Sequence, residues 1–396
     1  MVTENIVLQN PERFAKPYTI SRAKLESAAE VACERLANMA KAHYGQFPST
    51  SSRNFLYAPW GRNDNWTTGL YTGCFWFAYQ ITGDSFFKDV AESHLDSYKV
   101  RLDQRLGLLG HDVGFPYMPS CVAAYKVAGN EYGRDIAIET AKFFIDNAYM
   151  MRGRYKFIKR ASRPGQPYRT MMDTLMNATL LLWAGKELDN PLFTEAGLNQ
   201  SVTTEACLIR GDGSSYHHFM FNPPDCEPMR GLTLQGHSDE SCWSRGHAWG
   251  VYGFATAYEY TKADFLKKLH KDVSYYTLNH LPEDLIPYWD YDFTSGDEPR
   301  DTSAGLISAC GMHEMAKLLS EDDEQKQIYE SAAAQMLDSV IDNCTSDFQT
   351  DDGLVLKVTA GKPQGLGIDE CGVYGDYFYL EALARYLLGD KFIRHW

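Results

Sequence analysis

Helical periodicity recurs along almost the whole 396-residue chain, whereas the alternating pattern of half-buried strands is scarce. In the first predicted helix, Leu25, Ala29, Ala32, Leu36 and Met39 fall on one stripe. Similar spacing predicts twelve helices over residues 21–43, 66–81, 84–104, 117–128, 131–148, 169–185, 190–210, 243–260, 262–281, 302–318, 321–344 and 375–390.

The connections between these helices alternate in length. Those from an odd to an even helix are long, and cover residues 44–65, 105–116, 149–168, 211–242, 282–301 and 345–374. Those from an even to an odd helix are as short as Thr82-Gly83 or Gly129-Asn130, which makes the neighbours antiparallel. No solenoid signature recurs at a fixed period. Six hairpins with their long loops at one end therefore predict an all-α fold, an (α/α)6 barrel, as a single catalytic domain over 1–396 with a short N-terminal extension, 1–20.

Charge and cysteine usage exclude several classes of protein. The 52 acidic and 38 basic residues give a net charge of -14, which repels nucleic acid and anionic membrane surfaces, and no Lys/Arg cluster is expected to offer a local exception. No run of 18 apolar residues predicts a membrane span, and the N-terminus lacks a signal-peptide pattern. The nine cysteines are odd in number and form no C-x-x-C pair, so they are expected to be reduced core residues. We expect a cytoplasmic protein.

The even-numbered helices begin with unusual polar and aromatic sequences. Examples are Asn63–Trp66, His111–Pro116, Thr170–Asp173 and Trp243–Trp249. In a closed barrel these helix N-termini converge at one end, where unpaired N–H groups and partial positive charge favour a small anionic ligand.

Two aspartates at these helix starts have both a structural and a chemical interpretation. Asp112 is placed as an N-cap, and Asp173 as the acidic member of a capping box that begins at Thr170. Taken as a pair, they are candidates for the acid and the charge stabiliser of sugar chemistry. No H-E-x-x-H motif or fixed His/Asp spacing supports a metal site, so no metal is expected.

Further candidates come from the longest loop and the helix after it. His217 in that loop is interpreted as a hydrogen-bond donor, a proton shuttle or a surface residue. Arg245 either binds a carboxylate or pairs with a neighbouring acid. Trp66 and Trp249 belong either to the core or to a pocket wall.

Several long motifs occur in the same order as in a known family. They are NDNWTTGLYTG, HDVGFPY, MMDTLMN, YHHFMFNP, LQGHSDESCWSRGHAWGVYGFA, PYWDYDF followed by PRDTSA, and YGDYFYLEAL. In these motifs the chain resembles the unsaturated glucuronyl hydrolases of glycoside hydrolase family 88. The resemblance implies an (α/α)6 barrel, in agreement with the helix count.

The resemblance also implies a reaction and a set of residues. Such enzymes hydrate the C4=C5 double bond of a non-reducing-end unsaturated uronic acid, so that a small oligosaccharide is the expected partner and no metal or organic cofactor is required. By resemblance, Asp173 is the general acid/base, and Asp112 bonds the sugar and stabilises the cation-like transition state. The implied substrate contacts are Trp66, His111, His217, Gln235, Arg245 and Trp249. A monomer or a homodimer is expected.

Two departures from the family pattern concern the leaving sugar. Leu234 stands where relatives that accept sulfated substrates carry a basic residue, and Leu366 stands where they carry a Ser/Lys run. We therefore predict only a weak preference for sulfated substrates. Ala161 stands where relatives often carry a tryptophan, which predicts weaker stacking. The alternatives are an unsaturated rhamnogalacturonyl hydrolase acting on pectin fragments, an epimerase using His217 and His247, and a non-catalytic sugar-binding protein.

Overall fold

The computed structural model describes residues 5–160, 165–345 and 352–396. Its helices are α1 (Arg22–Ala42), α2 (Thr68–Thr82), α3 (Ser85–Ser93), α4 (Leu95–Asp103), α5 (Gly114–Tyr117), α6 (Ala123–Ala128), α7 (Glu131–Ala148), α8 (Thr174–Glu187), α9 (Pro191–Cys207), α10 (Ser244–Thr261), α11 (Phe265–Asn279), α12 (Thr302–Leu318), α13 (Glu324–Asn343) and α14 (Val373–Leu388).

Six helical segments form a closed inner ring. Helices α2, α5–α6, α8, α10, α12 and α14 each pack against the next, and α14 packs back against α2. Helices α1, α3–α4, α7, α9, α11 and α13 pack against the outside of this ring. The almost complete burial of α10, α12 and α14 agrees with their inner position. The predicted (α/α)6 barrel is therefore confirmed.

Two predicted helices are interrupted. The segment predicted over 84–104 is divided at His94 into α3 and α4. The segment predicted over 117–128 begins at Gly114 and contains a π-helical turn, Met118–Val122, between α5 and α6. Pro119 lies in this turn and has no N–H to donate to the preceding turn, which disrupts the regular α-helical bonding.

The predicted helix over 169–185 begins later than expected. Residues Tyr168–Met171 form a strand, β3, because they pair antiparallel with β4 (His218–Asn222), which pairs with β5 (Glu227–Leu232). A second small sheet joins β1 (Tyr149–Met150) to β2 (Phe157–Ile158). The long loops 149–168 and 211–242 thus contain strands, and the chain enters α8 directly from the three-stranded sheet.

The cysteines behave as the sequence predicts. All nine lie in the described part of the chain, are buried and form no disulfide. Along that same part of the chain, every helix is too short or too polar to cross a bilayer.

Candidate active site

A cavity of about 550 Å³ opens at the end of the barrel where the inner helices begin. Its lining comes from the starts of α2, α5, α8, α10 and α14 and from the segment around residue 360. The lining residues include Thr50, Ser51, Trp66, His111, Asp112, Phe115, Arg160, Met171, Asp173, His218, Leu234, Gln235, Trp243, Arg245, Trp249, Gln364, Leu366 and Tyr374. The predicted convergence of these helix starts is confirmed.

Neither candidate aspartate caps a helix. The residue before α5 is Val113, and no side chain caps that helix, so the N-cap interpretation of Asp112 is wrong. Asp173 directly precedes α8, and its side chain makes no cap bond either. The capping-box interpretation also fails because Thr170 lies in β3, where its hydroxyl donates to the Ile158 carbonyl at 3.1 Å. Both carboxylates therefore remain available for chemistry.

Close packing of α5 against α8 brings the two aspartates together. A Cβ on Gly114 would lie only 2.4 Å from the Asn177 backbone, so glycine is required for this approach. The Asn177 side chain accepts from the Phe115 N–H at 3.0 Å and donates to the Asp173 carbonyl oxygen at 3.2 Å. Asn177, which sequence reasoning missed, thus connects the two segments that carry the acids.

His111 lies between the two carboxylates. Its Nε2 atom is 3.2 Å from Oδ1 of Asp173 and 3.4 Å from Oδ1 of Asp112. One possible ligand atom from each of these three side chains lies within 4.8 Å of the others, so among the described residues this group could hold a divalent cation.

The pKa values of the three groups are pushed apart. Burial raises the pKa of Asp112, and the opposing charge of His111 does not cancel this effect. Burial also opposes ionisation of Asp173, but the adjacent His111 and His217 lower its pKa to about 2. Burial works against charge on His111, yet the two carboxylates raise its pKa above the ordinary value. These directions favour an ionised Asp173 and a protonated His111 in the free protein. Nε2 of His111 and Oδ1 of Asp173 are buried without a hydrogen-bond partner, so their 3.2 Å approach is an ion-pair contact.

The three-stranded sheet places the loop histidines beside Asp173. The Met172 N–H donates to the His217 carbonyl at 3.0 Å, and Nε2 of His217 lies 3.8 Å from Oδ2 of Asp173. Both ring nitrogens of His217 are buried without a hydrogen-bond partner. Burial lowers the pKa of His217 to about 4, so its ring is neutral. His217 is 2% exposed and is not among the residues that line the cavity, so this predicted substrate contact lies beside Asp173 rather than on the cavity wall.

His218 lines the cavity as well; the sequence placed it with His217 in the longest loop, but only His217 was predicted to contact the substrate. Its Nε2 atom is 3.4 Å from Oε1 of Gln235, which brings the predicted Gln235 to the same wall. The alternation of side chains along β4 would have identified His218 had this segment been assigned as a strand.

Aromatic rings form part of the cavity wall. Trp66 stacks on Tyr374 with ring centres 5.4 Å apart, and Phe115 lies 5.2 Å from Trp66 and 4.9 Å from Trp249. The two predicted tryptophans thus belong to one continuous aromatic surface of the cavity that also contains the acids.

Arg245 lines the cavity, but most of its guanidinium is already bonded. It pairs with the fully buried Asp301 and donates to the carbonyls of Thr359 and Ala360 at 2.7 and 2.6 Å. The rings of Trp243 and Tyr374 hold its guanidinium carbon at 4.6 and 4.4 Å from their centres. The predicted pairing with a neighbouring acid is therefore present.

Two apolar residues occupy the mouth of the cavity. Leu234 and Leu366 both line it and are 43% and 54% exposed, which places them where the sequence analysis expected sulfate recognition to be weak. Ala161 lies outside the described residues.

Comparison with known proteins identifies the family. The model of Glycosyl Hydrolase Family 88 matches residues 36–379. An unsaturated chondroitin disaccharide hydrolase of Streptococcus pyogenes is 35% identical over 96% of this chain and 95% of its own length. An unsaturated glucuronyl hydrolase of Bacillus sp. strain GL1 is 34% identical over 86% of this chain and 90% of its own.

Solved structures give the same result. The crystal structure of unsaturated glucuronyl hydrolase from Streptococcus agalactiae matches with a TM-score of 0.93, 34% identity and 98% coverage of both chains. A variant of that enzyme in complex with dGlcA-GalNAc6S matches with a TM-score of 0.88, 33% identity, and coverage of 99% of this chain and 98% of its own. The chain therefore belongs to glycosyl hydrolase family 88 and is a glycosidase related to the unsaturated glucuronyl hydrolases.

Proposed function

We propose that the protein hydrates the C4=C5 double bond of a non-reducing-end unsaturated uronic acid in small oligosaccharides of the glycosaminoglycan type. The observation that carries this proposal is the cluster of Asp112, His111 and Asp173, with carboxylate oxygens 3.4 and 3.2 Å from one imidazole nitrogen. Similarity to chondroitin disaccharide hydrolases and to an enzyme complexed with dGlcA-GalNAc6S supports the substrate class. The nine buried cysteines without disulfides support a reducing compartment such as the cytoplasm.

The proton begins on His111 and is delivered through Asp173. Binding of the uronate brings another negative charge close to Asp173 and expels water, and both effects raise the pKa of that carboxyl group. The proton then crosses the 3.2 Å from Nε2 of His111 to Oδ1 of Asp173, which donates it to C4. Positive charge develops at C5 and on the ring oxygen, where a neighbouring carboxylate stabilises it. Asp112 provides that carboxylate.

Water completes the reaction at C5. Asp173, which is ionised once C4 is protonated, accepts a proton from the water as its oxygen bonds to C5. The product is a hemiketal, and its ring opens to a ketone at C5 and a hemiacetal at C1. The hemiacetal then collapses to an aldehyde and releases the leaving sugar, so that one water is consumed in total.

Substitution of each aspartate tests the proposal. Asp173→Asn is expected to lower kcat by at least 10³-fold and Asp112→Asn by at least 10²-fold. Turnover is measured as loss of the absorbance of the conjugated double bond. Asp146→Asn, on the exposed face of outer helix α7, is the matched control and is expected to retain full activity. Retained turnover in Asp173→Asn would refute its role as the acid. Turnover confined to pectin-derived fragments would instead support the rhamnogalacturonyl hydrolase alternative.

A further inference from the structure

One residue of a basic stretch of the sequence lines the cavity. Residues 152–169 contain seven Lys and Arg and no Asp or Glu, although the chain as a whole carries a net charge of -14. Within this stretch Arg160 lines the cavity, and its backbone N–H donates to the Arg169 carbonyl at 2.7 Å. The two arginines therefore lie side by side on neighbouring segments.

The register of the three-stranded sheet places Arg169 on the cavity side. Met171 and His218 are paired across β3 and β4, and both line the cavity. Arg169 is two residues before Met171 in β3, so its side chain lies on the same face of the sheet. It is about 6.7 Å from Met171 along the strand. Met220 pairs with Arg169 and, on its other side, with Arg230, which continues the row on this face.

No carboxylate forms a salt bridge with these arginines within the described residues, although the charge of Arg160 reaches Asp112 and acts to lower the pKa of that carboxyl group. Arg160, Arg169 and Arg230 form no salt bridge there, whereas Lys156 of the same stretch contacts Glu195 at 3.3 Å. Burial lowers the pKa of Arg169, and the like charge of Arg160 lowers it further. Two half-buried guanidinium groups that repel each other beside a sugar-sized cavity are complementary to an oxyanion.

We propose that Arg160 and Arg169 form an arginine rim, extended by Arg230 two strands away on the same face, that binds a sulfate or carboxylate group of the sugar chain beyond the unsaturated uronate. Arg160 lines the same cavity as Leu234 and Leu366 but belongs to a different segment of the chain, so the rim does not depend on a basic side chain at those two positions. The inference rests on the proposed function, because it assumes that the uronate occupies the space at Asp112 and Asp173 and that the leaving group extends towards the mouth.

Three substrates and four variants test the arginine rim. The substrates are an unsaturated disaccharide with a neutral leaving sugar, its 6-sulfated counterpart and an unsulfated tetrasaccharide whose leaving group carries a uronate. The variants are Arg160→Gln, Arg169→Gln, the charge-retaining Arg160→Lys, and Arg152→Gln as an exposed control from the same stretch. KM and kcat are measured for each combination of enzyme and substrate from the loss of absorbance of the conjugated double bond.

The two Gln variants are expected to raise KM about tenfold for one or both anionic leaving groups, with kcat unchanged and the neutral disaccharide affected less than about twofold. Arg160→Lys retains most of the affinity and Arg152→Gln all of it. A raised KM for the sulfated disaccharide identifies sulfate as the group that the rim binds. A raised KM for the tetrasaccharide identifies a carboxylate. Equal KM values for wild type and Gln variants, or an equal rise for neutral and anionic substrates, would overturn the rim. If the wild type hydrates none of the three, the proposed function itself fails.

Discussion

Replacement of Arg245 distinguishes a substrate contact from a buried structural ion pair. In Arg245→Met the apolar side chain still fills the space between the rings of Trp243 and Tyr374. The fully buried Asp301 nevertheless loses its cation. Removal of one partner from a buried pair costs about 3 to 5 kcal/mol, so we expect a loss of that size in the free energy of unfolding.

The loss depends on pH in a defined direction. Burial already raises the pKa of Asp301 in the intact protein, and the charge of Arg245 opposes that shift. Without the arginine the folded-state pKa rises further above the unfolded value. A carboxyl group whose pKa is higher in the folded than in the unfolded state lowers the free energy of unfolding progressively as pH rises from about 4 through its folded-state pKa. The deficit of Arg245→Met is therefore larger at pH 8 than at pH 5.

Urea unfolding at these two pH values measures the effect. The double variant Arg245→Met/Asp301→Asn is the control, since a neutral amide needs no cation, and it should recover more than half of the lost stability at pH 8. A loss below about 1 kcal/mol, or the same deficit at both pH values, would refute the reasoning. A raised KM with unchanged stability would instead identify Arg245 as a simple substrate contact.

Three further predictions concern the two acids and the residues that contact their segments. Asn177→Ala leaves the buried Phe115 N–H without its acceptor and is expected to cost about 2 kcal/mol in urea unfolding and at least tenfold in kcat. Because the pKa of His111 is raised, kcat/KM should fall as pH rises through a value above 6.5, and a pH profile of His111→Asn that keeps this alkaline limb would contradict the relay. Dialysis against EDTA should leave turnover unchanged if the cluster of His111, Asp112 and Asp173 works through a proton, whereas activity that returns only with added cation would assign a metal there.

The barrel could be predicted because its signal is long-range and redundant. Twelve amphipathic segments with alternating connection lengths define six antiparallel hairpins, and errors of a few residues at helix ends do not alter that number. Local chemistry was harder to predict. Tyr168–Met171 has helical periodicity by sequence but forms β3, because a partner strand about 50 residues later satisfies its backbone groups.

The candidate residues were found at the helix starts, but their environments were not. Whether Asp112 and Asp173 act as caps depends on the backbone one or two residues away, and this becomes visible only when the helix boundaries are known. Asn177 lies on an apolar helix without any motif, so its role follows only from the approach of Gly114. The expectation that no Lys/Arg cluster interrupts the acidic charge is wrong for the stretch 152–169, because a total charge does not show how charges are distributed along the chain.

The reaction run in D₂O and followed by NMR tests the central claim most directly. Delivery of a solvent-derived proton by Asp173 predicts one deuterium at C4, with the vinyl C4 proton signal lost before or together with release of the leaving sugar. Asp173→Asn should show neither change. Release of the leaving sugar while the vinyl signal of the uronic acid persists would indicate ordinary displacement at C1 and would contradict the hydration mechanism.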